Sequence, residues 1–355
     1  MDCPFIAAMA SIAWVDRNFI INNITAGPSP GNYSFNFWDY PTVPWNPIVA
    51  LPVAGSPCQI NPASLTPVKT TVVVSQTIPL DGSNSPVDTS VTPNMSYGAG
   101  SSNNNEIWPA LYEKAYAKFI LYKNGTLTAG NLTDPTMDPS FSQLQSLTQR
   151  DWGGNAGYAL QYLTGLNCWM YNLTSTSFSP AGGVSGSATG SLYTYIKAGF
   201  CQSLSPNGVG KTKFPLVAWT YFNGSQPAGI QYDASSILAG HCYAVLGVFD
   251  APDGSHYIIL RTTFGGREPS PDVPVPNSIN LAEPPNYTTW NCYDALFKMA
   301  TVTGAIDYPK NAVQIPNYIS INLANGIFGI EASIPCASGL TTFQNYFAMI
   351  GWAGI

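Results

Sequence analysis

Helix-like segments come first in this chain and strand-like segments second, and that order constrains the fold more than any single residue does. The apolar run from Pro4 to Val15 has no basic region before it and no small-residue cleavage site after it, so Asp2 to Trp14 reads as a buried helix rather than a signal peptide. A Pro/Gly/Asn-rich stretch from about Asn22 to Asn104 holds one strong strand, TTVVVSQT at Thr70 to Thr77, bounded by Pro67 and Pro79. The run EIWPALYEKAYAKF predicts a second helix, with Asn105 as N-cap, Glu106 in the first turn, and Ile107, Leu111, Ala115 and Phe119 on one face. GGNAGYALQYLTG at Gly153 to Gly165 predicts a third, and AGGVSGSATGS at Ala181 to Ser191 reads as a linker. Beyond it, Phe214 to Phe222, Tyr243 to Phe249, Tyr257 to Thr263 and segments past Ile315 read as strands, with one helix-like run near Asp294 to Ala300. The expected fold is therefore α+β, with a helical lobe over residues 1–190, a β-rich lobe over 191–355 and a site in the cleft between them.

Composition removes several function classes. Only 9% of the 355 residues are charged and the net charge is −6, so no basic stripe exists to displace counterions from nucleic acid or to seek an anionic membrane surface. No stretch is long and apolar enough to read as a membrane span. Eight Asn-x-Ser/Thr sequons, at Asn23, Asn32, Asn94, Asn124, Asn131, Asn172, Asn223 and Asn286, mildly exceed the roughly five that such a composition gives by chance. They point to an extracellular or secretory-pathway glycoprotein, with the cytoplasm as the alternative. Seven cysteines are present; with Cys3 as a free thiol, the other six could form three disulfides in an oxidising compartment. No Cys-x-x-Cys or Cys/His cluster supports a zinc site.

Chemistry has few candidates, because the chain has only two histidines. His256 lies in APDGSHY, a loop joining two strands, and reads as an exposed turn residue. His241 enters the strand CYAVLGVF, where it is either a satisfied strand-end histidine or a side chain facing a cleft. Cys3 stands at the start of a helix with Pro4 in its first turn, where the peptide dipoles favour the thiolate, against the bland alternative of a buried structural cysteine.

A series of stretches in order shifts this balance. DCPFIAAMASI at Asp2 to Ile12, YSFNFWD at Tyr33 to Asp39, TTVVVSQTIPLD at Thr70 to Asp81, NEIWPALYEKAYAKF at Asn105 to Phe119 and GGNAGYALQYLTG are followed by GHCYAVLGV at Gly240 to Val248, LRTTFGG at Leu260 to Gly266 and TWNCYDALFKMATVTG at Thr289 to Gly304. Together they resemble the protease core of the calpain family, from about Met1 to Gly304, most specifically in the Trp-Pro-Ala-Leu-x-Glu-Lys-Ala-Tyr-Ala-Lys helix and the Gly-His block.

The resemblance implies a papain-like two-lobe fold and a cysteine-type endopeptidase acting on proteins or peptides, with Cys3 as nucleophile and His241 as base. Calcium dependence is also implied, although the family's acidic loop ligands have no residue-by-residue counterpart here. The family's orienting Asn falls on Thr262, and antiparallel register independently brings residues 262 to 264 near His241. Pro4 replaces the usual Trp after the nucleophile. The family's oxyanion Gln would lie upstream of Met1, so the resemblance implies either a longer chain, the favoured reading, or a defective oxyanion hole. Two further readings stand beside the peptidase: a pseudoprotease binding peptides in the same cleft, and a secreted structural or glycan-binding protein using its 13% aromatic residues for recognition.

Overall fold

A computed structural model describes residues 3–41, 53–54, 57–60, 65–77, 108–140, 143, 156–176, 178, 191–203, 209–222, 224–228, 230, 232, 237–250, 256–263, 327–335 and 339–354. The helices are α1 (Cys3–Val15), α2 (Arg17–Asn22), α3 (Trp108–Lys123), α4 (Ala129–Leu132), α5 (Ala156–Thr164), α6 (Leu192–Phe200) and α7 (Thr342–Tyr346). The strands are β1 (Ile24–Ala26), β2 (Asn32–Asp39), β3 (Pro57–Gln59), β4 (Val68–Ser75), β5 (Cys168–Asn172), β6 (Cys201–Ser203), β7 (Val209–Thr212), β8 (Leu216–Thr220), β9 (Cys242–Asp250), β10 (His256–Thr262), β11 (Ile327–Glu331) and β12 (Phe347–Ala353). The expected N-cap Asn105, the linker over 181–190 and the helix-like run near Asp294 lie outside the described residues.

The sequence of α1, CPFIAAMASIAWV, is apolar on every side, and such a helix is stable only when enclosed. Its Phe5, Ala7, Ala8, Ile12 and Trp14 are all buried. On one side Phe5 stacks on Tyr116 of α3, with centroids 4.3 Å apart; elsewhere α1 packs on α5, β8 and β9.

A three-stranded sheet in the order β1-β2-β4 is covered by α3. Phe37 of β2 stacks on Phe119 at 5.0 Å, and Phe35 meets Tyr112 at 5.0 Å. The helix also buries lysines. Lys118 Nζ donates to the carbonyls of Val73 at 2.8 Å and Asp134 at 2.6 Å, while Lys114 Nζ donates to those of Ser75 and Thr77 at 3.0 and 2.7 Å. Burial pushes both ammonium pKa values down, and Asp138, which pairs with both, pulls them back up.

The second sheet has nine strands, ordered β11-β10-β9-β8-β12-β5-β3, with β6 pairing β7 and β7 pairing β9. Its strands come from both sides of residue 190. β5 and β3 come from the first half of the chain, yet β5 pairs with the C-terminal strand from Met349↔Asn172 to Ala353↔Cys168. Backbone hydrogen bonds therefore tie the two halves together.

At the centre of this sheet β9 carries a bulge. Ile259 pairs with Gly247 but Leu260 pairs with Val245, so Leu246 is the extra residue. A bulged carbonyl is left out of the ladder and must find another donor. Here Trp14 Nε1 donates to Leu246 O at 2.8 Å and Thr212 Oγ1 at 3.2 Å, while Lys211 Nζ lies 4.6 Å from the Trp14 ring centre. Cys3 and Trp14 are about 16 Å apart along the helix at ~1.5 Å per residue. Cys242 to Leu246 spans about 13 Å of strand. Helix and strand thus lie side by side, fastened at one end through Trp14 and meeting at the other through Cys3. Among the described residues no helix is long and apolar enough to cross a membrane.

Candidate active site

Cys3 is the first residue of α1 and His241 immediately precedes β9. The structure brings them close enough for the side chains of both Cys242 and His241 to lower the Cys3 thiol pKa. Cys3 is 4% exposed and His241 0%, and α1 packs on β9.

The backbone of His241 is fixed from the neighbouring strand. Thr220 N–H donates to His241 O at 2.9 Å, and His241 N–H donates to Thr220 Oγ1 at 2.9 Å. Gly240 enters this turn at φ +60°, a left-handed conformation that favours glycine, and its N–H donates to Tyr221 O at 2.8 Å. The imidazole meets the Tyr243 ring edge-on, with centres 4.9 Å apart.

On the far side of the imidazole, the Thr263 hydroxyl lies 3.0 Å from Nε2. The hydroxyl on Nε2 is that of Thr263, the residue after Thr262. Thr262 is the last residue of β10, buried and paired with Tyr243, whereas Thr263 begins the turn, where strand alternation no longer dictates the side-chain direction. Neither the family resemblance nor the register could resolve that one-residue step, which depends on where the ladder ends.

Electrostatics favour a thiolate at Cys3. Its pKa is held at about 5: the hydrogen bond from Cys242 lowers it most, burial opposes, and the charge of His241, its hydrogen bond and the Cys242 backbone N–H lower it further. The Cys242 thiol is pushed well up, by burial first and then by its bond to Cys3; the Ala156 N–H at the start of α5 pulls it partly back. Burial also raises the other core thiols, Cys168 upward and Cys201 to about 12. Cys3 is the described cysteine whose pKa is lowered. Cys242 is the participant that sequence reading missed, although its position directly after His241 was a usable signal.

Elsewhere the structure amends three readings. His256 is not an exposed turn residue: it opens β10, its Nδ1 lies 2.8 Å from Asp250 Oδ1, and its ring stacks on Tyr193 at 4.5 Å. Tyr193 and Lys197 of α6 also donate to Asp250, whose pKa stays low against the cost of burial. These residues line a pocket of about 760 Å³ with Ser191, Cys201 and Ser333. The three-disulfide framework is not formed, since Cys58, Cys168, Cys201 and Cys242 are free; Cys292 and Cys336 lie outside the described residues. The sequon at Asn172 is buried in β5 with its side-chain oxygen accepting from Thr174, which leaves no room for a glycan there. Among the described residues no group of three or more His, Cys, Asp or Glu side chains is placed to hold a metal ion, so no calcium donor set is found there. No protein-family model and no curated protein matches this chain.

Proposed function

We propose that the chain is a papain-like, calpain-like thiol endopeptidase with Cys3 as nucleophile and His241 as base. The observation that carries the reading is the Cys3 thiol, at the start of an enclosed helix, held at a pKa of about 5 with His241 among the groups that lower it. At neutral pH such a sulfur is a thiolate beside an imidazolium, the resting pair of this chemistry.

In the reaction the thiolate attacks the scissile carbonyl carbon, the carbonyl π pair moves to oxygen, and a tetrahedral adduct forms. His241 then gives its proton to the amide nitrogen as the C–N bond breaks, leaving a thioester on Cys3 and a free amine. Water attacks the thioester, His241 takes its proton, and the C–S bond breaks to release the acid and restore the thiolate. With Thr263 on Nε2, Nδ1 is the ring nitrogen assigned to these transfers. The hydroxyl makes one contact where the family has a planar amide, and this favours a second reading: a pseudoprotease that binds peptides with slow turnover.

The test is labelling with a peptidyl vinyl sulfone together with cleavage of an unfolded protein substrate. Labelling at Cys3 should reach half its maximal rate near pH 5 and stay level to pH 8, because the thiolate is present above that pKa. His241→Ala should move the midpoint upward by removing the imidazolium. Labelling with cleavage supports the peptidase; labelling without cleavage selects the pseudoprotease. If Cys3 labels no faster than Cys58, which is exposed, both readings fail.

A further inference from the structure

The turn that closes α3 carries a motif that peptide hydrolysis does not use, Asn124-Gly125-Thr126. We propose that Asn124 is an N-glycosylation site, its carboxamide nitrogen taking an oligosaccharide from a polyprenyl-pyrophosphate donor. The sequon alone is a weak signal in a chain this rich in Asn, Ser and Thr, so the case rests on how the fold sorts the five sequons among the described residues. A glycan is bulky and hydrophilic, so a folded acceptor needs an exposed carboxamide with open space around it. Asn124, Gly125 and Thr126 are each exposed. The other four sequons are more enclosed: Asn23, Asn32 and Asn131 are half-buried, Ser34 and Leu132 within two of them are buried, and Asn172 is buried in β5.

Side-chain contacts separate them further. Asn23 Nδ2, the atom a sugar would occupy, donates to Phe19 O at 2.8 Å. Asn131 Oδ1 accepts from the Thr128 N–H and hydroxyl, both at 2.8 Å, in the cap of α4. At Asn124 the contact is again on the oxygen, which accepts from Thr126 N–H at 3.0 Å, but here the residue is exposed. That bond fixes the carboxamide and leaves Nδ2 to solvent.

The motif is also held by the helix it ends. Asn124 N–H donates to Ile120 O at 2.9 Å, Gly125 N–H to Tyr122 O at 3.0 Å, and Thr126 N–H, shared with Asn124 Oδ1, to Leu121 O at 2.9 Å. Gly125 turns the chain at φ +82°, as a glycine after a helix does, and a Cβ built on it meets nothing within 4 Å. Buried Leu127 anchors the exit.

In the transfer, Nδ2 attacks the anomeric carbon of the donor, the N–C bond forms, and the C–O bond to pyrophosphate breaks. Pyrophosphate leaves with the electron pair of that bond, and Nδ2 gives one proton to solvent. The reaction belongs to an oxidising compartment, and four of the five described free cysteines are buried, which shields their thiols there. The inference uses neither Cys3 nor His241.

The test isolates the full chain from the cells that make it, releases glycans with peptide N-glycosidase in heavy-oxygen water and maps the digest by mass spectrometry, since release leaves a labelled Asp at each occupied Asn. Asn124 should be labelled, Asn172 unlabelled, and Asn23, Asn32 and Asn131 labelled less than Asn124. In chains secreted from a eukaryotic host behind a cleavable leader, Asn124→Gln and Thr126→Ala should each lose the glycan from this peptide, while Thr126→Ser keeps it. Thr126→Ala retains the acceptor side chain and decides the question if Asn124→Gln does not fold. An unlabelled Asn124 in the native chain, heavier labelling at any of the other four, or a glycan that persists in Thr126→Ala overturns the inference. Peptide cleavage is not read, so failure here is distinct from failure of the peptidase reading.

Discussion

Thr263 is where a single residue governs how the imidazole is held. Its hydroxyl is 3.0 Å from His241 Nε2, and a hydroxyl rotates about its C–O bond where an amide carbonyl has a fixed direction. Thr263→Val keeps the shape and removes the contact, so kcat for peptide cleavage should fall about tenfold with KM little changed, on the usual scale of an orienting contact to a catalytic histidine. Thr263→Asn should raise kcat if the carboxamide takes up the same position. Steady-state kinetics on the two variants checks both directions, and equal rates in all three chains would remove Thr263 from the orienting role. The identity of Cys3 and His241 as candidates was legible in the sequence, since two histidines left little choice. The step from Thr262 to Thr263 was not, because it depends on the last rung of the β9–β10 ladder.

At the scale of elements, α1 and β9 bring the site together, and the point that tolerates least change is where β7 crosses β9. A Cβ added at Gly247 would meet Gly210 O at 2.1 Å, a contact that only backbone movement can relieve. Gly247→Ala should therefore destabilise the fold by more than about 2 kcal/mol, as forced overpacking against backbone does. Thermal unfolding should show the loss. Because Gly247 borders the Leu246 bulge that holds Trp14, iodoacetamide reaction at Cys3 should slow as the helix loses its register on the strand. An unchanged melting temperature would mean that β7 can move aside. The sequence marked both α1 and β9 as elements, yet the bulge was silent in it, since Leu246 sits in an unbroken apolar run.

For the whole molecule, the nine-stranded sheet decides how the chain is divided. β12, at the C-terminus, lies between β8 and β5, so each half of the chain supplies a strand that the other needs. Separate fragments 1–190 and 191–355 should each fail to fold, the first lacking the sheet on which α1 rests and the second exposing the β12 edge and the apolar face under α1. Mixed during refolding, they should associate and regain sheet content by circular dichroism. A cooperative melt from either fragment alone would mean that it closes a core of its own.

What the sequence determined by itself was local. Apolar runs gave α1 and the strands of the second half, β-branched residues between prolines gave β4, and a thiol at a helix start and a histidine at a strand start gave the candidate pair. Tertiary structure alone decided what those pieces meet. It set Cys242 against Cys3, drew β3 and β5 across the expected boundary, paired His256 with Asp250 and left Thr263 on the imidazole. The physical reason is range: helix and strand preferences are fixed by neighbours a few residues away, whereas hydrogen-bond partners, burial and the pKa of a thiol depend on groups brought together from more than two hundred residues apart, as Cys3 and His241 are.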